Sequence, residues 1–366
     1  MMQADRSPSA HFTPKPLERA PSPVIKAAGL AHTIFEKPDL DRLEAFLLDF
    51  GLTGAARTAD ALYMRGAGPA HHIHVARKGS SSRFIGLALR AERREDLDRI
   101  AAVPGASAIE RIEEPGGGER VVLFDPHGFR VEVIHGQSLL DPLPVREPLP
   151  INTPFRKPRV NTGQRAPDAP PAVVRLGHAV LEVVDFLKAV SWYMSHFGFI
   201  PSDVLCLPDG SPVGAFLRLD RGDEPTDHHT LMIASSIEAG HNHSAYELVD
   251  LDAVGLGHRL LAGRGYRTAW GIGRHLLGSQ VFDYWRDPWG DKVEHYADGD
   301  VFDSRQPTGY HLLTRDSQHQ WGPDFPADFV DARMTPRKLV RFARNLARHE
   351  ELTVGRAIQL KRAMGV

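Results

Sequence analysis

Asp125-Pro126-His127-Gly128-Phe129-Arg130-Val131-Glu132 returns further along the chain as Asp287-Pro288-Trp289-Gly290-Asp291-Lys292-Val293-Glu294. In both copies Asp-Pro-x-Gly is turn chemistry, and it leads into a short strand that carries a glutamate. Working outward, the openings Gly29-Leu30-Ala31-His32-Thr33-Ile34 and Arg175-Leu176-Gly177-His178-Ala179-Val180 also match. About one helix later each block carries Phe-Gly, at Phe50-Gly51 and Phe197-Gly198. Internal repetition on this scale decides the architecture before any single element does.

The repeat defines two folded blocks, residues 26–136 and 173–303. Within the second, residues 185–196 place Phe186, Leu187, Val190, Tyr193 and Met194 at helical spacing before Gly198 stops the helix. Residues 230–233 and 244–248 read as strands, 252–262 as a second helix and 291–296 as the last strand. The order is βαβββ, twice per block, with the second half starting near His243. The expected class is α+β: two tandem units built from βαβββ modules, each a partly open mixed β-barrel.

Outside the blocks, residues 1–25 are rich in Pro, Ser and Ala and predict a mobile extension. Residues 137–172 hold many prolines and predict an extended linker. Residues 304–366 form a tail in which Arg337, Arg341, Arg344 and Arg348 recur at helical spacing, beside Leu339, Val340, Phe342 and Leu346. That pattern predicts an amphipathic helix, docked on the protein or closing over its active site.

Composition is that of a globular protein: 42% hydrophobic, 25% charged, net charge -2 over 366 residues. The charge gives no reason to expect a nucleic-acid partner. No apolar run reaches the roughly 18 residues of a membrane helix, and no signal peptide is expected. A single cysteine, Cys206, excludes an internal disulfide and fits a reducing, cytoplasmic setting.

The chemistry concentrates in the second block. His275, Tyr284 and Glu294 follow one another closely, and His178, His228-His229 and His243 precede them. Two histidines and one carboxylate from separate segments are the set that holds a non-haem Fe(II) with open positions. An additional His and Tyr are suited to proton transfer. Within His241-Asn242-His243 either histidine is a candidate, with the strand beginning at Ser244 on the side of His243. His229, His241, His258, His295 and His311 are expected to be bystanders.

These spacings, 228 to 243, 275 to 284 and 284 to 294, resemble those of the type I extradiol ring-cleaving dioxygenases of the vicinal oxygen chelate superfamily. His178 follows Leu-Gly at the start of the block as the first ligand does there. Arg286-Asp287-Pro288-x-Gly-x-x-Val293-Glu294 is similar to the homoprotocatechuate-cleaving members. The resemblance covers residues 26–303 and is specific in the second block. It implies two tandem vicinal-oxygen-chelate domains, with His178, His243 and Glu294 binding Fe(II), or Mn(II), which accepts similar ligands. His228 would then be the acid/base residue, His275 and Tyr284 would bind the substrate hydroxyls, and Phe216 and Leu277 would wall the pocket. It further implies a substituted catechol and O2 as substrates and a homo-oligomer. The chain departs from the pattern at Asp283, often apolar in the family, and at Leu276-Leu277, polar in several members. Phe216, Leu276, Leu277 and Trp285 tilt the pocket toward an alkyl or aryl substituent, while Arg274 and Arg286 could bind an acid.

The first block keeps His32 and Glu132 but has Phe84 where His243 stands, so it reads as a structural repeat. Its Tyr284 counterpart falls near Leu123 or Phe124. His71, His72 and His74 read there as a satisfied or surface strand. Two rival functions share the superfamily: a glyoxalase-like metal-dependent isomerase or lyase, which usually takes two glutamates, and a non-catalytic small-molecule-binding protein.

Overall fold

The computed structural model describes residues 12–167, 169–330 and 335–365. The first block runs β1 (Gly29–Lys37), α1 (Leu40–Phe50), β2 (Thr53–Arg57), β3 (Ala61–Arg65) and β4 (His74–Lys78). It then repeats that order as β5 (Arg83–Arg90), α2 (Arg94–Ala101), β6 (Glu110–Arg111), β7 (Glu119–Phe124) and β8 (Arg130–His135). The second block runs β9 (Val173–Val183), α3 (Phe186–Phe197), β10 (Ile200–Cys206), β11 (Pro212–Arg218), a short β12 (Thr226–Asp227) and β13 (Leu231–Ser235). Its second half is β14 (Gly240–Leu248), α4 (Leu251–Gly263), β15 (Arg267–Arg274), β16 (Val281–Arg286) and β17 (Lys292–Ala297). The block closes with β18 (Val301–Phe302), paired to β12 in a small separate sheet, and the tail adds β19 (Gly309–Leu312), α5 (Pro336–Arg348) and α6 (Val354–Met364).

Each block is one curved mixed sheet, with strand orders β2-β3-β4-β1-β5-β8-β7-β6 and β15-β16-β17-β14-β9-β13-β11-β10-β19. The pairing repeats exchange for exchange. β1 pairs β4 in parallel and β5 antiparallel, as β9 pairs β13 and β14. The α+β class and the twofold βαβββ order therefore hold, with the tail strand β19 lengthening the second sheet. No helix among the described residues is long and apolar enough to cross a membrane.

Local chemistry explains the elements. α3 buries Phe186, Ala189, Val190, Tyr193, Met194 and Phe197 along one stripe and ends where Gly198 takes φ 71. In the closing turn Asp287 Oδ1 accepts from the amides of Trp289 and Asp291, both at 2.9 Å, and Gly290 takes φ 99. Asp125 does the same for His127 and Phe129.

The blocks share one apolar core and lock together through polar plugs. Lys37, 1% exposed at its side chain, reaches from β1 to Asp287 and, at 2.6 Å, Asp291 of the second block's turn. In return His127 of the first block's turn accepts from the amides of Val184 and Asp185 at 3.1 and 3.0 Å. Breaking a buried pair by removing one partner strands the other's charge. Lys37→Ala is expected to cost about 3–5 kcal/mol, read as a lowered denaturant midpoint; a change below about 1 kcal/mol would show the pair idle.

Two expectations are corrected. Residues 12–25 are not loose: Lys15, Leu17 and Val24 donate their amides to Gly210 O, Tyr310 Oη and Ser195 O, each at 2.9 Å, and Ile25 is buried. These backbone bonds and the buried Ile25 supply the order that composition hides; residues 1–11 lie outside the described residues. Of the satisfied and surface alternatives for His72 and His74 the surface one fails: both are buried, His74 on the inner strand β4 with its Nδ1 2.9 Å from Tyr246 Oη.

Candidate metal centre

One row of residues crosses the second sheet. Ala245 of β14 is level with His178 of β9 on one side and with Glu294 of β17 on the other. Glu294 is level with Tyr284 of β16, and Tyr284 with Trp270 of β15. The methyl of Ala245 leaves room between its neighbours. His243 Nε2 and His178 Nε2 each lie 3.2 Å from Glu294 Oε2. The three side chains are buried and offer ligand atoms within 4.8 Å of one another.

A β-bulge settles which histidine of His241-Asn242-His243 joins them. Register shifts between His241 and His243, leaving Asn242 unpaired and turning the two rings apart. His241 goes toward the first block, stacking on Phe84 at 4.5 Å and reaching Ser244 Oγ at 2.8 Å. His243 faces Glu294. Asn242 Oδ1 holds His243 Nδ1 at 2.8 Å and its amide donates to Glu182 Oε1 at 2.6 Å, so His243 is oriented from behind.

The electrostatics suit a cation. Burial works against ionisation of Glu294, but the imidazoles of His178, His243 and His275 outweigh it and hold the carboxyl well below the ordinary range. Burial lowers His243 to about 4, so at neutral pH its ring is neutral and keeps a lone pair. Both Glu294 oxygens are buried without an aligned hydrogen-bond donor. An ionised carboxylate in that state is costly, and a divalent cation among the three donors would satisfy it. The residues thus fit a bound metal ion.

Beside this set, Tyr284 Oη lies 2.8 Å from His275 Nε2, and His275 Nδ1 lies 2.9 Å from Gln318 O. A carbonyl only accepts, so His275 carries its proton on Nδ1 and Tyr284 donates to Nε2. A cavity of about 640 Å³ opens here, lined among others by His178, His243, His275, Tyr284, Phe216 and Leu277. Trp285, in contrast, is in the core with its indole on Asp283 at 2.6 Å, and Leu276 is 46% exposed outside the lining.

The His228-His229 pair differs from expectation. His229 lines the cavity, with its ring 4.0 Å from that of His178. His228 sits behind it, its Nδ1 3.0 Å from His229 Nδ1 and its Nε2 2.7 Å from Asp203 Oδ2. Adjacent residues at a strand's head point opposite ways, so only one of the pair can face the cavity. His311, counted as a bystander, holds Asp203 Oδ1 at 2.6 Å. Burial works against the Asp203 carboxylate, yet these two histidines bring it down to about 2. Asp203 and the His229 position were missed; the paired histidines themselves were the available signal.

In the first block the same register sets Val122, not Leu123 or Phe124, opposite Glu132. There Glu132 is already answered by Arg130 at 2.7 Å and Arg120 at 3.8 Å. Burial, with Arg77 and Arg120 nearby, holds His32 at about 3.

A family model described as the glyoxalase/bleomycin resistance protein/dioxygenase superfamily matches residues 175–295. Metapyrocatechase 2 of Cupriavidus necator is 32% identical over 86% of this chain and 96% of its own length. Two solved structures share the fold. Homoprotocatechuate 2,3-dioxygenase of Brevibacterium fuscum has a TM-score of 0.70 at 19% identity, covering 86% of this chain and 94% of that one. The Mn(II)-bound glyoxalase of Novosphingobium aromaticivorans has a TM-score of 0.71 at 23% identity, covering 85% and 96%. With the converging His178, His243 and Glu294, the duplicated sheets and these likenesses together, the chain belongs to the extradiol ring-cleaving dioxygenases of that superfamily.

Proposed function

We propose that the protein is an Fe(II)-dependent extradiol dioxygenase that cleaves the ring of a substituted catechol with O2 during breakdown of aromatic compounds. The observation that carries it is the buried convergence of His178, His243 and Glu294 beside the cavity, with both Glu294 oxygens buried and without an aligned hydrogen-bond donor. Those three would hold the metal. The donor set suits Fe(II), and Mn(II) accepts the same atoms. When bound, the metal supplies open positions for the catechol oxygens and O2 and the one-electron chemistry between them.

The chain's own residues do the rest. Tyr284 donates its hydroxyl hydrogen bond to His275 Nε2, so its oxygen lone pairs are free to accept a hydroxyl hydrogen of the catechol. His229 Nδ1 is engaged by His228, which leaves Nε2 to take up and return a proton on the cavity side. Asp203 accepts from His228 Nε2, so positive charge reaching His229 is shared with a buried carboxylate behind it. Phe216 and Leu277 hold the ring against the floor and exclude water. A cytoplasmic location and a homo-oligomeric state belong to the same proposal.

The test is anaerobic loading with Fe(II), then oxygen uptake and visible spectra with 3- and 4-substituted catechols. Uptake with a yellow ring-opened product is expected. Stoichiometric metal without uptake on any catechol would sink the proposal in favour of an isomerase-like relative.

A further inference from the structure

The cavity is far larger than one aromatic ring, and its outer half belongs to the tail. From Tyr284 an apolar wall runs outward through Phe329, 5.0 Å away ring to ring, and Phe325, 5.1 Å further on, to Met364 of α6 packed against them. Phe342 of α5 and Val354 and Ile358 of α6 line the space beyond. The two helices are pinned to the lip of the sheet. Arg341 pairs with Glu238 at 2.9 Å, Asn345 donates to Ile237 O at 2.8 Å, and Arg356 donates to Pro212 O at 2.9 Å. The two helices therefore roof the cavity, and the space beneath them extends beyond Tyr284.

The charges decide what that space takes. The two arginines that could have met an acidic substituent are engaged elsewhere. Arg274 donates to Ser279 O and to Asp298 at 2.8 Å, and Arg286 donates to Asp328 O at 2.8 Å. Neither lines the cavity, and among its described lining residues the lysines and arginines are only Lys338 and Lys361, both on the tail helices. A carboxylate on the ring would enter a cavity lined by Phe216, Leu277, Trp270 and Phe329 whose lysines come only from the tail helices, which is costly.

We propose that the catechol substituent is an extended apolar group, an alkyl chain of several carbons or a second ring, lying between the sheet's mouth and α6. This rests on the ring-cleaving reading above and names its substrate class. Apolar burial gives each added methylene an advantage of about four-fold in kcat/KM.

The experiment uses the full chain loaded with Fe(II) and compares catechols bearing methyl, propyl, pentyl, phenyl or carboxymethyl groups. Expected is a kcat/KM that climbs with chain length, pentyl exceeding methyl by more than about ten-fold, and carboxymethyl falling below methyl. A flat series, or preference for carboxymethyl, overturns the proposal. Ile358→Glu should shrink the pentyl-to-methyl ratio at least ten-fold; an unchanged ratio also overturns it. If no catechol is cleaved at all, the ring-cleaving reading fails by itself. The channel is then judged by quenching of tryptophan fluorescence at Trp270: quenching by 4-pentylphenol but not phenylacetate upholds the apolar channel, and equal or absent quenching refutes it.

Discussion

Glu294→Ala and His243→Ala are expected to lose bound iron and ring cleavage together, with turnover down by about 10³-fold or more, equivalent to about 4 kcal/mol of barrier. Glu294 brings the negative charge of the set and His243 one of two imidazole nitrogens, so either loss leaves too few donors to hold the ion. Metal content measured on the folded variant separates this from general damage. His241→Ala is the matched control, since its ring faces Phe84 rather than Glu294, and it should retain metal. Iron retained in His243→Ala and lost in His241→Ala would reverse the assignment made from the bulge. Asn242→Ala should weaken metal affinity about 10–100-fold by freeing the ring behind the ligand.

The second large effect is expected at His229. His229→Phe keeps the flat ring against His178 and should keep iron and anaerobic catechol binding, yet lose about 10²–10⁴-fold in turnover because no group remains to move the proton. His228→Phe leaves His229 in the cavity wall and removes only its partner and the link to Asp203, so the loss should be smaller. Single-turnover rates on the iron-loaded variants decide it. A larger loss in His228→Phe than in His229→Phe would return the acid/base role to His228.

What was legible in the chain follows from how each feature is written. The duplicated Asp-Pro-x-Gly turns and the alternation around them are local, so the repeat, the βαβββ order and the strands bearing His178 and Glu294 could be read directly. The choice of His243 over His241 was open in the residues alone, because simple alternation puts both on one face; the bulge at Asn242 that separates them is a property of pairing with β9. His228 and His229 pose the same problem, and there the wrong face was chosen. Asp203 was invisible because its partners His228 and His311 come from distant strands and meet only in three dimensions. The order in residues 12–25 was hidden because backbone amides hold it, and composition does not record those bonds.

The arginines around Glu132 have a wider meaning. Two copies of one unit each bury a glutamate at the same register position, and each must find positive charge for it. In the first copy Arg120 and Arg130 write that charge into the polypeptide, so it is present from synthesis onward. In the second copy, on the proposed function, that charge would come from a metal ion bound by His178, His243 and Glu294. On the proposed function the molecule is thus half self-sufficient and half dependent on supply, one unit carrying its counter-charge in its own sequence and the other taking it from a bound ion.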